Sequence, residues 1–186
     1  MADRKQIAGA FADLIMQYFE HFDLSPAFML DDQELRRKYL VISKKYHPDF
    51  FVNDPEKHEE ALKMTSLNNK AYETLRDDLK RVAYNLKSEG LLSEKGGELD
   101  PMFLMEMMEW NERTSDAGLE GNVDELGRIN EEFQAFQRGM IADLQEACRA
   151  CDDDRTDATL QKVLEFYLKS RYLLRIKESI DKFAAL

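Results

Sequence analysis

The chain has little of what several protein classes require. Its 186 residues include two cysteines, too few for a disulfide framework in a chain without an export signal, so a reducing compartment is the default. No apolar run approaches the roughly 20 residues of a membrane span, so no membrane partner is expected. The N-terminal stretch "MADRKQIAGAFADLIM" has no continuous apolar core ahead of a small-residue cleavage site, so secretion is not expected. Asp3 and Asp13 in that stretch argue against an acid-poor transit peptide, and a cytoplasmic location is expected. Strand signals are nearly absent. Clustered positive charge is scarce too: 26 Lys and Arg stand against 37 Asp and Glu, a formal net charge of −11. Duplex binding needs clustered cations facing phosphates, so a nucleic-acid partner is not expected.

What is present is an ordinary apolar fraction with a high charged fraction, the composition of a soluble globular chain. A chain of this length buries roughly 70% of its unfolded surface, as one domain or two small ones. Charge separates two halves. Residues 1–97 carry 17 acidic and 15 basic residues, whereas residues 98–186 carry 20 and 11. Halves this different are expected to face different partners.

Helix signals are strong along the whole chain. A first helix runs through "AFADLIMQYFEHF" and breaks at Ser25-Pro26. The second starts at Asp31, which can cap it while Glu34 reaches back in a capping box. Pro48 ends it by disfavouring the helical conformation at His47. After a loop, "HPDFFVN", Asp54-Pro55 supplies a cap and a first helical residue for a third helix to about Leu75. "DDLKRVAYNLKSEG" makes a fourth, ended by Gly90, and "LLSEKGGELD" reads as a linker. Asp100-Pro101 opens a fifth helix, "DAGLEGN" interrupts it, and long helices over about 123–151 and 155–183 follow. The expected fold is all-α, with four N-terminal helices and a C-terminal three-helix bundle.

The second helix holds five basic residues in "LDDQELRRKYLVISKKY". With Leu35 at zero on a helical wheel, Leu35, Tyr39, Ile42 and Tyr46 fall within about 60° and form the buried stripe. Arg37 and Lys44 face the opposite way, with Lys38 and Lys45 on one flank. A basic stripe therefore leads to His47, Pro48 and Asp49. A solvated face and a plain helix stop would explain these features separately. His47 nevertheless leaves the helix, Pro48 stiffens the backbone and Asp49 sets a carboxylate beside a basic surface, three residues unsuited to a core.

Together with "LNNKAYETLRD" at 67–77, where Asn69, Ala71, Tyr72 and Leu75 match a third-helix signature, the arrangement resembles the J-domain family of co-chaperones. Within it, "YFEHFDL", "YHPDFF", "NKAYETLRDDLKRVAYNL" and "FLMEMMEW" are similar to the HscB-type co-chaperone of iron–sulfur cluster biogenesis. The resemblance covers about residues 17–186. It implies an N-terminal extension at 1–16, a J-domain at 17–90, a linker at 91–99 and a scaffold-binding three-helix domain at 100–186. It also implies that His47, Pro48 and Asp49 contact a DnaK-type (HscA-like) ATPase chaperone and stimulate its hydrolysis. Arg36, Arg37, Lys44 and Lys45 would attract an acidic surface on that chaperone. Leu40 and Val41 depart from the general pattern, where a basic pair is often found, so the basic patch is thinner and a specialised chaperone is expected.

The fifth helix carries an apolar excess. With Phe103 at zero, Phe103, Met107 and Trp110 fall within about 60° and suffice for a core stripe. Leu104, Met105 and Met108 widen the apolar arc to roughly 220°, bordered by Glu109 and Glu112. The helix is either buried nearly all round or offers a partner-binding patch, for which adaptable methionines suit. The resemblance implies the second: positions matching Leu104, Met105, Met108, Glu109 and Glu112 are where the family docks its iron–sulfur scaffold protein (IscU-like). It adds Tyr172 and Asp116, although the neighbouring "RTSDAG" departs from the family.

Cys148-Arg-Ala-Cys151 forms a C-x-x-C. A zinc or cluster site needs about four ligands, and the chain has no second Cys pair and no His pair. A thioredoxin-like role would need a preceding strand. No metal or cofactor is expected, and without a nucleophile–base set no enzymatic activity either. The expected function is a co-chaperone that brings an iron–sulfur scaffold to a DnaK-type ATPase. Its alternatives are a J-protein for another client, or a helical redox or metal carrier using Cys148 and Cys151.

Overall fold

The computed structural model describes residues 17–92 and 98–184. The expected extension at 1–16, the start of the first helix and residues 93–97 of the expected linker lie outside them. Among the described residues all regular structure is helical, in two compact units that divide between Leu92 and Ser93.

In the first unit, α1 (17–21) ends before Ser25-Pro26. Asp23 takes a left-handed conformation, φ 49°. Leu24 N–H then donates to the Phe19 carbonyl and Asp23 N–H to the Glu20 carbonyl, each at 2.9 Å. This is a Schellman ending, with aspartate in the place usually taken by glycine. Asp31 caps α2 (Asp32–Lys45) by accepting from Gln33 and Glu34 N–H. Glu34 turns its carboxylate to Lys38, 3.5 Å away, rather than back to the cap. Tyr46 closes α2, and His47 is extended at φ −68°, ψ 123°, as a residue before proline must be.

Asp54 caps α3 (Pro55–Leu75) and Asp77 caps α4 (Asp78–Ser88). Phe19, Phe22, Leu35, Ala71 and Leu75 form a buried cluster, with half-buried Tyr39 and Ile42 packed against it. Arg81 is buried as well. Its Nε donates to the Phe28 carbonyl at 2.7 Å, and its other nitrogens reach the Leu75 carbonyl and Asp78. Asn85 Nδ2 donates to the Ala27 carbonyl at 3.1 Å. These two side chains fasten the loop after α1 to α4. Removing Arg81 would strand the two carbonyls it reaches, each unsatisfied buried acceptor costing about 1–3 kcal/mol, whereas Asp78 is half exposed and would turn to solvent.

The second unit is a bundle of α5 (Pro101–Leu119), α6 (Val123–Asp153) and α7 (Asp157–Ala184). Asp100 caps α5 with Pro101 in its first turn. Gly121, at φ 64°, ends it with Asn122 N–H donating to the Ala117 carbonyl at 2.9 Å, the positive φ that glycine adopts without strain. Phe103, Met107, Phe133, Leu173, Ile176 and Ile180 make one core cluster. Trp110 bridges it to a second of Ala117, Leu126 and Ile129, with its ring edge-on to Phe133. No helix among the described residues is long and apolar enough to cross a membrane.

Candidate functional site

The turn after α2 is held by α3. Thr65 Oγ1 donates to the Tyr46 carbonyl at 3.1 Å. One turn back, Asn68 Nδ2 donates to Ser43 Oγ at 2.8 Å and to the Tyr39 carbonyl at 3.2 Å. Asn68 Oδ1 meets His21 Nε2 at 3.0 Å. Tyr39 donates its hydroxyl hydrogen to Asn69 Oδ1 at 3.0 Å, and its ring stacks on Tyr72 at 4.2 Å. The pairs rise along α2 while falling along α3, so the two helices run antiparallel. Asn68 is buried with its amide satisfied on both sides. It adjoins the signature positions Asn69, Ala71, Tyr72 and Leu75, yet a lone buried polar residue leaves no periodic signal by which sequence reasoning could find it.

Pro48–Phe51 forms a short 3-10 helix where the sequence reads as loop. His47 caps it: Nδ1 accepts weakly from Asp49 N–H at 3.4 Å, and Phe50 N–H donates to the His47 carbonyl at 3.0 Å. Asp49 Oδ2 lies 3.7 Å from His47 Nδ1, with both side chains more than half exposed. An exposed pair of this kind adds little stability, which leaves both side chains available to a partner.

Arg36, Arg37, Lys44 and Lys45 are all exposed on α2. Lys38 is not part of that free face. Its Nζ donates to the Asp23 carbonyl at 2.6 Å and sits near Glu34, so it ties α2 to the end of α1. Among these exposed cations, Leu40 and Val41 are 54% and 63% exposed.

On α5 the wheel divides as the spacing predicts at most positions. Phe103 and Met107 are buried and Trp110 half-buried. Met105 and Met108 are 65% and 59% exposed, and Glu109, Glu112 and Asp116 lie exposed on the same side. Leu104 differs: it stands at the edge of the arc and is half-buried. Sequence reasoning missed Met102, which at 77% is the most exposed of these methionines. It continues the row Met102, Met105, Met108 at three-residue spacing. Tyr172 on α7 packs edge-on against Phe103, ring centroids 6.0 Å apart, and is half-buried.

Cys148 and Cys151 are buried in α6 beside Leu144 and Ala147. Among the described residues no group of three or more His, Cys, Asp or Glu is placed to hold a metal ion.

Two family models match: a DnaJ domain over residues 17–85 and the HSCB C-terminal oligomerisation domain over residues 99–181. A co-chaperone protein HscB homolog of Burkholderia thailandensis is 37% identical over 131 residues, 68% of this chain and 74% of the relative. Another, of Neisseria gonorrhoeae, is 31% identical over 168 residues, 89% of this chain and 97% of the relative. Among solved structures, chaperone HscB from Vibrio cholerae superposes with a TM-score of 0.68 at 27% identity, covering 89% of this chain and 95% of that one. Human co-chaperone protein HscB gives 0.72 at 28%, covering 89% and 80%. With a DnaJ domain followed by the HscB C-terminal domain, and with relatives matched over most of its length, the chain belongs to the HscB co-chaperone family.

Proposed function

We propose that this chain recruits an iron–sulfur cluster scaffold protein to a DnaK-type ATPase chaperone in the cytoplasm and stimulates that chaperone's hydrolysis. The observation that carries the reading is the His47-Pro48-Asp49 turn, exposed at the end of a basic helix and fixed from behind by Thr65 and Asn68. Pro48 and Phe51 are half-buried, while the exposed His47 and Asp49 side chains have little packing duty and offer an imidazole and a carboxylate. Arg36, Arg37, Lys44 and Lys45 would speed encounter with an acidic chaperone surface more than they would add affinity. The scaffold would seat on α5, on the row of Met105 and Met108 with Leu104 at its edge. Glu109, Glu112 and Asp116 would orient a basic partner there, with Tyr172 at the border.

The activity belongs to the chaperone, and this chain supplies contact rather than chemistry. The metal-carrier alternative has little to support it, because both thiols of the C-x-x-C are buried in a helix core. An ATPase assay with the purified chaperone, then with this chain, then with the scaffold as well, tests the reading. Hydrolysis should rise on adding this chain and rise again with scaffold. A flat rate across all three conditions would contradict it.

A further inference from the structure

We infer that Leu40 and Val41 form an apolar anchor on α2 for the same ATPase chaperone, fitting an apolar side chain flanked by carboxylates on that partner. The inference rests on the co-chaperone reading above and names a contact that the reading does not contain.

Leu35 faces the core of the first unit at 0% exposure. Gln33, Arg37, Leu40, Val41 and Lys44 follow one another at helical spacing on the opposite side. That outer face should be polar throughout, since nothing in the first unit covers it. Two large apolar side chains stand there instead and floor a shallow depression of about 470 Å³, lined by Gln33, Arg36, Arg37 and Lys44. The depression is open, so it suits a protein surface rather than an enclosed small molecule.

Charge selects the occupant. Three cations around an apolar floor repel a basic segment and favour an apolar residue framed by Asp or Glu. Position selects it as well, because the His47 turn directly follows the last turn of α2. A partner that grips His47 and Asp49 therefore runs onto this patch. The consequence is a division of labour. Contacts to Arg36, Arg37 and Lys44 fade with salt, whereas an apolar contact does not.

The test uses the full chain in two forms, Leu40→Ala with Val41→Ala, and Leu40→Lys with Val41→Arg. Both positions are exposed, so neither change removes core packing, and melting curves verify this. Single-turnover hydrolysis by the purified DnaK-type chaperone of the same organism is titrated at about 0.05 M and about 0.5 M salt. The alanine pair should raise the half-saturating concentration by at least about tenfold at both salts, as loss of an anchor does. The basic pair should match the alanine pair at high salt and recover only at low salt. Equal half-saturation for the wild type and the alanine pair overturns the inference, while the reading of His47, tested by His47→Gln, stands. A basic pair that outperforms the wild type at both salts overturns it too. Sedimentation covers the remaining occupant: a wild-type chain that self-associates and an alanine pair that does not would assign the patch to a second copy and overturn the inference. A wild-type chain that never stimulates the ATPase removes the co-chaperone reading and this inference together.

Discussion

Thr65 donates its hydroxyl hydrogen to the Tyr46 carbonyl, 3.1 Å away, and so ties the last residue before His47 to the neighbouring helix. The bond also satisfies a carbonyl that α2 leaves open at its end. Thr65→Val keeps the side-chain shape and removes the donor, which should cost about 1 kcal/mol of stability. Stimulation of the chaperone should fall further than so small a loss explains, with scaffold affinity unchanged. Full stimulation by Thr65→Val would show that the tie does not position the turn.

The α5 row separates docking from packing. Truncating Met102, Met105 and Met108 together to Ala should weaken scaffold binding by about 100-fold, since a few anchors dominate most interfaces. Melting should shift little, because all three are well exposed. Met107→Ala is the packing control: that side chain is fully buried, and its truncation should cost about 2–5 kcal/mol. Adding Leu104→Ala should lower both affinity and melting temperature, as a half-buried residue serves both. Calorimetric titration of scaffold with parallel melts reads these outcomes. A triple variant that melts as early as Met107→Ala would place the methionines in the core.

The cysteines separate the co-chaperone from a carrier. Cys148→Ala with Cys151→Ala should leave ATPase stimulation and scaffold binding intact. It should lower stability modestly, because two buried sulfurs lose their contacts. Metal analysis of the purified wild type is the check. A bound metal that disappears with this change would favour the carrier.

Tyr84 gives the first unit an alkaline limit. Its ring stacks on Tyr18 at 4.8 Å, and its hydroxyl accepts from Tyr18 N–H at 3.1 Å. Burial pushes its pKa up from 10.0 to about 12, against the opposing pull of that hydrogen bond. The fold thus favours the neutral phenol. The stability this confers is complete below about pH 10 and is lost as pH rises through about 12. Phenolate absorbance of the wild type minus that of Tyr84→Phe should show one step near about 12. A step near the ordinary value would contradict the burial argument.

Local chemistry made much of this legible in advance. Caps at Asp31, Asp54-Pro55 and Asp100-Pro101, the proline stop at Pro48 and the glycine ending at Gly90 all act within a few residues, so spacing alone exposes them. α1 ended early because a left-handed aspartate, rather than Ser25-Pro26, closes it, and no periodicity marks such a residue. Arg81 and Asn68 were invisible for a different reason. Each has a partner far off in sequence, Phe28 for one and Ser43 for the other, and buried polar residues break the apolar pattern that reveals a core. On α5 the wheel sorted the clear positions and failed at the margin, where Leu104 sits half-buried and Met102 extends the row.

The co-chaperone role is tested most directly by single-turnover ATP hydrolysis by the DnaK-type chaperone with wild-type chain, His47→Gln and Asp49→Asn. Both side chains are exposed and contribute little packing, so each variant should melt within about 0.5 kcal/mol of the wild type. Both should still bind scaffold on α5. Wild type should accelerate hydrolysis and neither folded variant should. A folded Asp49→Asn or His47→Gln chain that stimulates the chaperone as well as wild type would contradict that role.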